Sequence, residues 1–67
     1  MKINYMVITY DKNGNRTGNT YFDTLENAVA YRNMYIRLYK IEKTFALCPT
    51  VWKWSNRSHS FERLAGF

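Results

Sequence analysis

The stretch WKWSNRSHSF at residues 52–61 holds the side chains best suited to binding a ligand. Trp52 and Trp54 are two residues apart, so on a strand their indole rings point to the same side. Stacking of a nucleic-acid base on an aromatic ring is worth about 1–3 kcal/mol, and nearby basic side chains hold the phosphates. The segment therefore predicts a basic and aromatic surface for nucleic acid or a nucleotide. The residues that we expect to form it are Arg37, Lys40, Trp52, Lys53, Trp54, Arg57 and Arg63.

The two tryptophans also have a purely structural interpretation. If Val51 faces the core, Trp52 and Trp54 point to the free side of their sheet, and if Val51 faces outward they belong to the core. A chain of 67 residues builds a marginal core and needs large side chains to fill it. We therefore expect at least one of the two tryptophans in the core.

Catalytic chemistry is not indicated by the residue types. The chain has one cysteine, Cys48, and one histidine, His59, and its five acidic residues are scattered. Cys48 and His59 could meet across the last hairpin, but their spacing does not require it. One Cys and one His cannot build a zinc site of four ligands, and no glycine-rich phosphate loop is present. We expect a protein that is not an enzyme and that carries no metal or cofactor.

Composition narrows the class of partner. Ten Lys and Arg against five Asp and Glu give a net charge of +5, which favours anionic partners. A single cysteine cannot form a disulfide within the chain, and neither a secretory signal nor a membrane-spanning apolar run is visible. We expect one domain, a cytoplasmic location and no membrane partner. Chains of this size with charged, aromatic surfaces are typical of phages and mobile elements.

The hydrophobic pattern predicts the elements that position these residues. Residues 3–10 form a strand with two apolar faces, which indicates a central position in a sheet. Asn13 and Gly14 favour a turn, and residues 17–22 form the returning strand. Asp23 or Thr24 caps a helix over residues 24–43, Asp23 having Glu26 at capping-box spacing. Residues 50–55 and 60–65 form the last two strands. The predicted fold is a two-layer α+β domain of order β-β-α-β-β, a small antiparallel sheet with one helix on one face.

The predicted helix carries more apolar surface than one sheet face can cover. We expect the surplus to form a protein interface at Tyr31, Met34, Tyr35 and Leu38. This surface supports an alternative function: an inhibitor or adaptor, of the host-takeover or anti-defence type, that docks on a host enzyme. A homodimer would use the same surface. Because the net charge is +5, we rank a phosphate-bearing partner slightly ahead of a protein partner.

The segment TYFDTLENAVAY resembles the strand-to-helix join in the arm-binding, AP2-like domains of phage-type integrases. In those domains an aromatic-x-Thr turn ends a strand, and a small residue takes the first buried position of the helix. Here Phe22, Thr24, Leu25 and Ala28 fill this pattern over 12 residues. Those domains present three strands before their helix and this sequence predicts two, so the resemblance implies no DNA-reading face.

Overall fold

The four strands of this chain form one antiparallel sheet, and a single helix packs against one face of it. The computed structural model describes residues 4–41 and 48–67. Its elements in chain order are β1 (Tyr5–Tyr10), β2 (Arg16–Phe22), α1 (Leu25–Tyr39), β3 (Thr50–Ser55) and β4 (Ser60–Arg63). The strand order across the sheet is β2-β1-β3-β4. The predicted two-layer β-β-α-β-β fold, with two strands before the helix, is confirmed.

Strand β1 lies in the middle of the sheet, as its two apolar faces predicted. It pairs with β2 on one side and with β3 on the other. Val7 and Ile8 point to opposite faces, and both are almost completely buried. A β-bulge after Thr9 shifts the register, so that Tyr10 lies opposite Arg16.

The loop between β1 and β2 is held by Asp11. Its Oδ1 atom accepts hydrogen bonds from the backbone N–H groups of Asn13 and Asn15, each at 2.9 Å. Gly14 has φ 83°, a left-handed conformation that costs glycine nothing. The five-residue loop at 11–15 agrees with the expectation of a connection longer than two residues.

Helix α1 begins after Thr24 and is shorter than the predicted 24–43. Thr24, and not Asp23, is the N-cap: its hydroxyl oxygen accepts from the backbone N–H of Asn27 at 3.2 Å. At the other end Lys40 adopts a left-handed conformation, with φ 54°, and the N–H of Ile41 donates to the carbonyl of Ile36. This αL cap ends the helix at Tyr39. Residues 42 and 43 of the predicted helix lie outside the described residues.

The core between the sheet and the helix is centred on Val7, Val51 and Ala28, none of which has exposed surface. Val7 and Val51 are direct neighbours on β1 and β3, and the small Ala28 lets the helix approach them closely. Five larger side chains surround this centre: Tyr5, Phe22, Tyr31, Leu64 and Phe67.

Arg32 ties the helix to the segment that leads into β3. Its Nε atom donates to the carbonyl of Pro49 at 3.3 Å, and its Nη2 atom donates to Sγ of the buried Cys48 at 3.4 Å. The guanidinium also lies 5.7 Å from the centre of the Phe67 ring. These contacts fix the point at which β3 enters the sheet.

We predict that Val51→Ala lowers the free energy of unfolding by about 2 kcal/mol, since it removes two buried carbon atoms and leaves a cavity. A chain of this length has a total stability on the order of 3–10 kcal/mol, so the loss is large. Urea unfolding followed by tryptophan fluorescence measures it. Leu38→Ala, at an exposed helix position, is the control and should change stability by less than about 0.5 kcal/mol. A Val51→Ala variant as stable as this control would contradict the described core.

Candidate nucleic-acid interface

Both tryptophans lie on the sheet face that points away from the helix. Val51 is buried beneath α1. Trp52 and Trp54 alternate with Val51 and Lys53 along β3, so their side chains point to the opposite face of the sheet. The expectation that at least one of them lies in the core beneath the helix is therefore wrong. We call this opposite side the tryptophan face; its strand residues are Met6, Ile8, Tyr10, Arg16, Asn19, Tyr21, Thr50, Trp52, Trp54, Phe61 and Arg63.

The tryptophan face is a second apolar layer and not a bare platform. Met6 and Ile8, on its central strand, are only 7% and 1% exposed. Tyr21 and Phe61 belong to the two edge strands, which three strand spacings of about 4.8 Å separate. Their ring centres are nevertheless 6.0 Å apart, so the two side chains lean inward across the central strands. The rings on this face therefore have a packing role as well as an exposed side.

The two indole rings are held in fixed positions by hydrogen bonds. The Nε1–H of Trp52 donates to Oγ1 of Thr50 at 2.8 Å, and the Nε1–H of Trp54 donates to Oδ1 of Asn56 at 3.0 Å. Trp54 also packs edge-on against Phe61, with ring centres 5.3 Å apart. Both tryptophans are half-buried. Because their only polar groups are already used, they can offer a partner the exposed parts of their carbon rings.

The charges on the tryptophan face are positive. Arg63 lies directly opposite Trp52 on the edge strand β4, and Arg16 lies opposite Tyr10 on the other edge strand, β2. None of the described strand residues on this face is Asp or Glu. The acid of β4, Glu62, pairs with Lys53 on the helix side of the sheet. The tryptophan face therefore has one arginine on each of its edge strands and no carboxylate among its described strand positions.

A shallow pocket of about 400 Å³ lies at the end of the β3–β4 hairpin. Lys53, Trp54 and Arg57 line it, and Glu62 lines it as well. The structure thus brings together three of the residues predicted to bind a nucleotide. Lys53 lies opposite Glu62 on the helix side of the sheet, and Arg57 is an exposed residue of the turn between the two strands.

The remaining predicted cations lie elsewhere. Arg37 and Lys40 are exposed residues at the C-terminal end of α1, in the layer on the other side of the sheet from the tryptophans. The structure does not bring them to the tryptophan face. Conversely, sequence reasoning missed Tyr21, Phe61 and Arg16. Alternation along β2 shows that Tyr21 points to the same side as Asn19. Only the strand order shows that Trp52 lies on that side as well.

The predicted protein interface on the helix divides into two parts. Tyr31 is turned toward the sheet: its ring centre lies 5.3 Å from that of Phe22, and its hydroxyl accepts from Oγ1 of Thr20 at 3.4 Å. Tyr35 is half-buried beside it. Met34 and Leu38, in contrast, are 47% and 66% exposed. We call Met34 and Leu38, with the neighbouring Arg37, the helix patch.

The structure separates Cys48 from His59. Cys48 is buried before the start of β3, whereas His59 lies in the exposed turn after its end, about 20 Å away along a six-residue strand. Across residues 4–41 and 48–67, no three His, Cys, Asp or Glu side chains are grouped closely enough to hold a metal ion. Over these same ranges, α1 is too short and too polar to cross a membrane.

Comparison of the chain with protein-family models, with curated proteins and with solved structures finds no match. The function must therefore be inferred from the geometry and chemistry of the chain itself.

Proposed function

We propose that this chain is a small binding protein, without catalytic activity, that binds a phosphate-bearing partner, either nucleic acid or a nucleotide. The binding surface is the tryptophan face together with the β3–β4 turn. The observation that carries the proposal is the placement of Trp52, Trp54 and Arg63 on one sheet face whose described strand positions include no carboxylate. Arg57, in the adjoining β3–β4 turn, lines the hairpin-end pocket with Trp54 and, from the helix side of the sheet, Lys53 and Glu62.

The physical chemistry of the two residue types supports this choice of partner. Arginines attract phosphates and release their counterions, which gives an affinity that falls with salt. Aromatic rings add stacking energy that does not depend on salt. Arg37 and Lys40, in the other layer, contribute to the overall charge of +5 and thereby to the rate of encounter with an anion.

The location that fits this function is the cytoplasm, where nucleic acids and nucleotides are abundant. A chain with one cysteine has no disulfide of its own to lose in a reducing compartment. We propose that a phage or mobile element encodes it, in which case the cytoplasm is that of the host.

We predict that labelled oligonucleotides bind at low salt with micromolar or tighter affinity, measured by fluorescence anisotropy, and that this affinity falls steeply as salt is raised. Arg63→Gln and Arg57→Gln should each reduce the slope of log K against log salt by about 0.7 to 0.9, the contribution of one phosphate contact.

Lys12→Gln is the matched control, because it removes the same unit of charge from the exposed β1–β2 loop. Its slope should remain that of the wild-type protein. The proposal is contradicted if neither single-stranded nor duplex oligonucleotides nor a labelled nucleotide bind at low salt, or if Lys12→Gln weakens binding as much as Arg63→Gln does.

A second candidate function rests on the helix patch. Leu38 is the most exposed large apolar side chain among those described, and Met34 lies one turn before it on the same side. Arg37 and Lys40 flank them, while the acid of α1, Glu26, lies in the first turn. Two copies packed through this patch would bring like charges together. An acidic surface of another protein fits it better, as expected of an inhibitor or adaptor that docks on a host enzyme.

If the helix patch binds such a partner, Leu38→Asp should weaken the complex by at least about 25-fold, the effect of losing one interface hot spot of about 2 kcal/mol. The measurement is affinity capture followed by reconstitution with the purified, identified protein. Trp54→Phe, on the opposite face of the sheet, should leave that complex unchanged. Equal binding by the wild-type and Leu38→Asp proteins would eliminate this function.

A further inference from the structure

We infer that the partner is single-stranded nucleic acid whose unpaired bases stack across the tryptophan face, with Tyr21 as an additional stacking residue. This inference rests on the proposed function and names the substrate class of the same surface. It adds to the site a side chain from β2, the edge strand farthest from β4, whose ring leans in toward Phe61.

One row of side chains crosses all four strands on this face. Tyr21 lies opposite Met6, Met6 lies opposite Trp52, and Trp52 lies opposite Arg63. With a strand spacing of about 4.8 Å, the row is about 14 Å long. Tyr21 starts from one edge strand and leans its ring inward over the central strands, Trp52 lies near the middle of the row and Arg63 lies on the other edge strand. A chain of bases and phosphates laid across this row would meet aromatic rings and then an arginine.

Tyr21 is both exposed and supported. The residue is 48% exposed, although it lies on a sheet face whose central residues are buried. The Phe61 ring lies beside it, and its hydroxyl accepts from Nδ2 of Asn19 at 3.3 Å. A ring held in this way loses little conformational freedom when a base stacks on it, which favours binding.

The form of the surface favours single strands over duplexes. In a duplex the flat faces of the bases are stacked on one another, and a protein reaches only their edges through the grooves, commonly with a projecting helix or ribbon. The rings of the tryptophan face are half-buried side chains within a sheet, and they can stack only on bases that are already unpaired.

The hydrogen bonds of the indoles indicate that binding depends little on base sequence. Base identity is read by donors and acceptors that meet the base edges. The N–H groups of Trp52 and Trp54 are already donated to Thr50 and Asn56. Arg16 and Arg63 lie on the two edge strands, one on each side of the rings, where they can hold phosphates on both sides of the stacked bases.

The test is fluorescence anisotropy with labelled homopolymeric single strands of each base, with a duplex of the same length, and with a mononucleotide. We expect the wild-type protein to bind the single strands more tightly than the duplex and with similar affinity for each base. Tyr21→Leu should weaken single-strand binding by about 5- to 140-fold, the loss of one stacked base, and Tyr21→Phe should retain binding.

Tyr39→Leu is the matched control, since Tyr39 is also an exposed tyrosine, 62% exposed, that packs on another ring, Tyr35, but lies on the helix. Its binding should equal that of the wild-type protein. Circular dichroism melting establishes that each variant is folded, and the single-strand against duplex comparison needs no variant at all.

A duplex or mononucleotide bound as tightly as the single strands, or a folded Tyr21→Leu protein that binds like the wild type, would overturn the single-strand assignment while leaving a phosphate-bearing partner in place. No binding of any of these probes at low salt would overturn both.

Discussion

Val51 packs against Val7 and Ala28 with no exposed surface, and the other side chains of β3 take their places from this contact. Strand alternation then places Trp52 and Trp54 on the far side of the sheet and Lys53 on the helix side. Register with β4 sets Arg63 beside Trp52 and Glu62 beside Lys53. One buried valine therefore places the arginines and the aromatic rings on one face of the sheet. It places Lys53 and Glu62 on the other face.

A single helix can cover only one face of the sheet, and this constraint explains the second layer. The chain has 12 aromatic residues. Tyr21 and Phe61 lean over the central strands from the two edges, while Trp54 packs against Phe61. The rings that close the free face of the sheet are therefore the same rings that we propose as the binding surface. On this proposal one set of side chains serves both stability and binding, so a binding variant must be checked for folding.

The elements of the fold could be predicted from the sequence, whereas the composition of the site could not. Two apolar faces on residues 3–10 indicated a central strand, and Pro49 with the following alternation indicated β3. The predicted end of the helix was wrong because nothing in the residue type of Lys40 predicts its left-handed conformation. Part of the apolar helix surface expected to remain uncovered was assigned to Tyr31, but in the structure Tyr31 packs against Phe22. Tyr21 was missed because its partners Met6 and Phe61 come from strands β1 and β4, and local periodicity contains no information on strand order.

We propose that the tryptophan face, and not the helix patch, meets the phosphate-bearing partner. The most direct test is a titration of the ¹⁵N-labelled protein with a short single-stranded oligonucleotide at low salt, followed by ¹H–¹⁵N correlation spectra. We expect the largest shifts at the indole N–H signals of Trp52 and Trp54 and at the backbone amides of Tyr21 and Arg63, with Met34 and Leu38 unchanged. Shifts concentrated at Met34 and Leu38, or no shifts in the presence of excess oligonucleotide, would contradict the claim.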